Sequence, residues 1–89
     1  MPQAVGDPDE LERFARALQE FLGSLNDALG HLNGAFAALG DTWQDEKRAR
    51  FEEQYNALVQ QLRQFEAHAS EQIPYLATLA TRLREYLQS

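Results

Sequence analysis

A leucine repeat that breaks once and then resumes constrains this chain more than any other feature. Leu11, Leu18, Leu25, Leu32 and Leu39 recur every seventh residue, and Phe14, Phe21, Leu22, Leu29 and Phe36 fill the same side. Such spacing draws one broad apolar stripe along an α-helix. The stripe stops at Gly40-Asp41-Thr42-Trp43-Gln44-Asp45. It restarts at Phe51 and continues through Tyr55, Leu58, Leu62, Phe65, Ala69, Ile73, Leu76, Ala80, Leu83 and Leu87 in steps of three and four. The expected fold is all-α, an antiparallel two-helix hairpin reversing at Trp43.

Local signals set the boundaries over a single domain of residues 1–89. Residues 1–6 are expected to form a flexible arm. Asp7 can cap a helix, Pro8 suits its first position, and Glu10 completes a capping-box pattern. The first helix is expected over 8–39 and the turn over 40–45. Gly40 is the usual type of stop signal, and Asp41 or Asp45 can cap the second helix. That helix is expected over 46–87. Pro74 predicts a kink inside it, with a break near Ser70–Pro74 as the alternative.

Two surfaces stand out. Gly23, Gly30, Gly34, Ala37 and Ala38 lie away from the leucine stripe. Either a second helix approaches the backbone there, or the glycines sit on a solvated face. Folding back at Trp43 is expected to place Pro8 opposite Leu76, leaving Ala77 to Leu87 as an overhang. Tyr75, Leu76, Leu79, Leu83, Tyr86 and Leu87 widen the apolar surface there and make a candidate interface. A short chain buries little surface on its own. Two such hairpins are expected to pair into a four-helix bundle as a dimer.

Several kinds of chemistry are disfavoured. Fourteen acidic and eight basic side chains give a formal charge of −6, which suits neither nucleic acid nor anionic lipid. There is no cysteine, hence no disulfide, zinc thiolate or thiol nucleophile. No apolar run reaches the length of a membrane span. Met1 to Gly6 carry neither a basic region nor an apolar one, so a cleaved signal peptide is not expected. His31 and His68 fall on different helices, and neither belongs to a Glu-x-x-His or His-Glu-x-x-His pattern. Asp41, Asp45, Glu52 and Glu53 cluster at a hairpin end, where caps and solvated charges explain them. No catalytic residue, cofactor or metal is expected.

Trp43, followed two residues later by Asp45 and eight later by Phe51, gives the turn a more specific character. This pattern resembles the WXG100 (ESAT-6-like) family. The resemblance implies two long antiparallel helices joined by a Trp-x-Gly turn. It also implies an apolar or aromatic residue at the spacing that Phe51 occupies. Asp45 stands where the family has glycine, and it can still serve as a helix cap. Many exported members or their partners carry Tyr-x-x-x-Asp/Glu after the second helix. Tyr86 precedes only Leu87-Gln88-Ser89, and Tyr75 has Leu79 at the fourth position, so neither fits. Any export signal here is then divergent or supplied by a partner.

The resemblance implies a non-enzymatic interaction protein, a substrate or partner of a type VII-like secretion system. It would pair as a homodimer or with a related helical hairpin and leave the cytoplasm without a cleaved signal. The alternative is a cytoplasmic adaptor or assembly scaffold. Trp43 covers the end of the helical core in one reading and faces a partner in the other.

Overall fold

The computed structural model describes residues 6–88. Two helices make up the architecture, α1 over Pro8–Leu39 and α2 over Glu46–Gln88. They form an antiparallel hairpin 67 Å long and 18 by 17 Å in cross-section. The expected arm of residues 1–6 lies outside the described residues except for Gly6. α2 passes through Pro74 as one helix.

Both helix starts follow from carboxylate caps. The Asp7 Oδ1 accepts from the Asp9 N–H at 2.9 Å, and Pro8 occupies the first turn. Glu10 does not close a capping box; its carboxylate accepts from Arg13 instead. At α2 the Asp45 Oδ1 accepts from the N–H groups of Lys47 and Arg48 at 2.9 and 3.1 Å. Asp45, rather than Asp41, therefore satisfies donors that the helix start leaves unpaired.

The seam between the helices is narrow. Its buried residues are Ala15, Leu22 and Leu29 on α1, and Tyr55, Ala69 and Ala80 on α2. Ala80 is wholly inaccessible, and small residues such as these let two helix backbones approach. One edge of the seam is tied by polar side chains. Arg84 donates to both Glu12 oxygens at 2.6 and 2.8 Å and to Asp9 at 2.6 Å. Arg63 bridges Asn26 and Glu66, each at 2.8 Å. The Tyr55 hydroxyl donates to Asn33.

These ties fix the register and correct the expected overhang. Arg84 stands beside Asp9 and Glu12, so Ala77 to Arg84 packs along the first turns of α1. Gln88 lies four residues past Arg84, about one helical turn. The physical reason lies in the reversal. The six turn residues, 40–45, reverse the chain about a point past Trp43, so the pairing runs Asn33 with Tyr55, Asn26 with Arg63 and Glu12 with Arg84. Pro8 thus falls level with the mid-eighties rather than with Leu76.

Gly40 ends α1 without the left-handed backbone that glycine often supplies; its φ and ψ are −60° and −20°. What it supplies is space. A Cβ there would lie 3.1 Å from the Arg48 guanidinium and 3.2 Å from the Ala37 carbonyl oxygen. Arg48 lies over the Phe36 ring at 5.0 Å and reaches Glu52 at 3.3 Å. The Gln44 side-chain amide donates to the Gly40 carbonyl at 2.7 Å, closing the turn. Gly23, Gly30 and Gly34 have nothing within 4 Å of the position a Cβ would take. Within the chain, then, α2 does not approach the glycine face, which is open.

Two consequences can be measured. Gly30→Ala should raise stability by about 1 kcal/mol through helix propensity, because the new methyl meets nothing. Gly40→Ala should lower the melting temperature although its backbone is equally helical, because Arg48 must move. Equal shifts in thermal unfolding would remove the spatial role of Gly40. Hydrogen bonding from Arg84 holds the Glu12 carboxyl below its ordinary value. A depressed carboxylate contributes stability above its unfolded-state pKa and loses it as pH falls through the folded value. Arg84→Gln should therefore lower the melting temperature at pH 7 and do so much less at pH 3.

Candidate functional site

Helical phase decides which side chains the seam leaves outside. On α1, Phe14, Phe21, Leu32 and Leu39 sit beside the buried row on the side away from the polar ties, and all are exposed. On α2, Phe51, Leu58 and Phe65 hold the equivalent phase and are exposed too. In an antiparallel pair these two rows fall on one side of the hairpin. The Phe21 and Phe65 rings meet edge to face at 6.2 Å, which ties the rows together. The result is an apolar face running from Leu39 and Phe51 at the turn to Phe14 at the open end.

Near the open end this face dips into a groove of about 450 Å³. Phe14, Leu18, Phe65, Ala69, Tyr75 and Leu76 line it together with His68 and Gln72. The lining is almost wholly apolar, as helix-accepting grooves are. Among the described residues lining it, none is an acid, and His68 and Tyr75 are the titratable ones.

At the turn the face ends in stacked aromatics. Phe36 lies 4.5 Å from Tyr55, nearly parallel to it. Phe51 contacts Phe36 at 5.9 Å, Tyr55 at 6.4 Å and Trp43 at 6.1 Å. Trp43 is half-buried and joins the cluster through Phe51, while its backbone N–H donates to the Leu39 carbonyl at 2.8 Å. The eight-residue spacing from Trp43 to Phe51 thus places the two rings side by side. Asp45 contributes its cap rather than a contact with either ring.

The residues singled out after Pro74 divide into two groups. Leu76, Leu79 and Leu83 are half-buried against the hairpin, whereas Tyr75, Tyr86 and Leu87 are exposed. Tyr75 and Leu76 join the apolar face through the groove. His31 is exposed, and His68, on the other helix, is exposed and lines the groove. Among the described residues, no group of three or more His, Asp or Glu side chains could hold a metal ion. Among the same residues, no helix is long and apolar enough to cross a membrane.

Sequence reasoning missed Arg48 and Arg84. Arg48 reads as part of a short basic cluster with Lys47 and Arg50, yet it braces the turn between Gly40, Phe36 and Glu52. Its position three residues after the Asp45 cap was the available clue, since that phase points back at the end of α1. Arg84 could be found only once the register was known.

Comparison with known proteins agrees with this geometry. The family WXG100, described as proteins of 100 residues with WXG, matches residues 6–86. Members are small, non-enzymatic helical proteins that pair with helical partners and are linked to type VII secretion. No curated protein and no solved structure matches the chain. A match spanning both helices and the Trp43 turn, on a two-helix hairpin, shows that the chain belongs to the WXG100 family.

Proposed function

We propose that this chain is an interaction protein that pairs with another helical hairpin and serves as a substrate or partner of a type VII-like secretion system. The observation that carries this reading is the open apolar face. Leu32 and Leu58 are 46% and 50% exposed, and Phe14, Phe21 and Phe65 are exposed beside them. A face of this length is more than a soluble monomer usually leaves uncovered. Among the described residues the buried row has six members, three of them alanine, which is a small core. Pairing face to face would build a four-helix bundle and add the missing core.

In this bundle the roles divide along the hairpin. Trp43 and Phe51 close the turn end of the contact, and Asp45 holds the start of α2 behind them. Tyr75, Leu76, Leu79, Leu83, Tyr86 and Leu87 extend the contact at the open end. Export follows from the family's link to type VII secretion and needs no cleaved signal. The cytoplasmic adaptor remains the competing reading, because Asp45 replaces the family's glycine and Tyr75 has Leu79 where a Tyr-x-x-x-Asp/Glu signal carries an acid.

Fractionation of the native host decides between them. Intact, uncleaved chain is expected in the culture medium while a cytosolic control stays in the lysate. Strict retention with the secretion machinery active would overturn the export reading in favour of the adaptor. Leu32→Glu with Leu58→Glu should leave the hairpin helical by circular dichroism. It should also abolish partner capture and reduce the exported amount at least about tenfold, since both changes bury charge in the contact. Undiminished export of this variant would separate secretion from the apolar face.

A further inference from the structure

We propose that α2 beyond Pro74 is a hinged arm, latched to α1 by Arg84, which opens as a unit while the rest of the hairpin stays paired. Pro74 has no N–H to give the Ser70 carbonyl, and its ring crowds that carbonyl. The backbone ladder is therefore weakest at a point that α2 still crosses as one helix. The two sides of this point are held very differently. Before it, Tyr55 and Ala69 are buried, and Tyr55 stacks on Phe36 and donates to Asn33. Arg63 donates to Asn26, and the Phe65 ring meets Phe21. After it, among the described residues, only Ala80 is buried, and Leu76, Leu79 and Leu83 are half-buried. Segments with so few buried apolar contacts open at a lower free energy than the whole domain.

Arg84 supplies the rest of the hold. Arg13, Arg48 and Arg63 form ion pairs with acids on their own helices, whereas Arg84 pairs across the seam with both Asp9 and Glu12. Its two terminal nitrogens reach both Glu12 oxygens, a forked contact that a guanidinium makes and an ammonium does not. Hinge and latch lie about 15 Å apart along α2, with Ala80 between them. Opening changes what the hairpin presents. The groove takes Phe65 and Ala69 from before the hinge, Tyr75 and Leu76 from after it, and Phe14 and Leu18 from α1. It is complete only while the arm is closed. Release of the latch shifts Tyr75 and Leu76 and uncovers Ala80, so Arg84 sets whether the open end of the hairpin carries a groove.

Hydrogen exchange of the purified full chain, read amide by amide, tests this. A detached arm is too short to keep its helix in water, so each opening exposes its amides together. Residues 77–84 should share one level of protection, at least about tenfold below that of residues 58–69, with a step at Pro74. A smooth decline from Ala69 to Gln88, as fraying of a helix end gives, would overturn the hinge. Arg84→Gln should speed exchange over 77–84 at least about fivefold and over 58–69 less than about twofold. Equal speeding on both sides, global unfolding included, would overturn the latch. Pro74 is exposed, so Pro74→Ala restores the ladder bond without disturbing the seam. This variant should erase the step and bring the arm within about threefold of residues 58–69. A step that persists in it would overturn Pro74 as the hinge.

Discussion

Two helices in contact share one seam, and each can turn only part of its surface into it. This geometric limit governs the rest of the molecule. The apolar stripe on each helix is wider than the seam, so part of it must fall outside. Leu22 and Leu29 enter the seam, while Phe21 and Leu32, on the same stripe, do not. The surplus is not scattered. Because the helices run antiparallel, the excess from both lands on one side and forms a continuous face.

The other side of the seam is finished differently. Arg84, Arg63 and Tyr55 reach across it to carboxylates and amides on α1. Exposed ion pairs add little stability individually, but a set of bonds at fixed spacing selects one register. The polar edge thus aligns the hairpin and draws acids away from the apolar edge. Sidedness of this kind leaves one side of the hairpin polar and tied and the other apolar and open.

The turn joins these demands. It must reverse the chain in six residues, cap α2 and keep the end of the apolar face closed. Asp45 provides the cap, Gln44 ties back to Gly40, and Arg48 fills the space that Gly40 leaves. The rings of Trp43 and Phe51 lie in contact at this end. Asp45 at the family's glycine position is therefore compatible with the same reversal, since a carboxylate cap starts α2 there.

Much of this was written in the sequence. The heptad leucines specify helices because only a 3.6-residue repeat gathers them on one side, and Asp7-Pro8 and Gly40 to Asp45 mark the ends by local chemistry. The Trp43 to Phe51 spacing pointed to the family for a comparably local reason, one ring lying a little over two turns from the other. Register was different. The position opposite Pro8 depends on how tightly the turn closes and on which bonds form across the seam, and neither is local. Only the tertiary structure showed Arg84 beside Asp9 and Glu12, and so removed the overhang. Only it divided the leucine stripe into a buried row and an open one, because that division depends on where the second helix lies. The sequence by itself determined two amphipathic helices and a reversal; the packing of one against the other decided which apolar residues remain exposed.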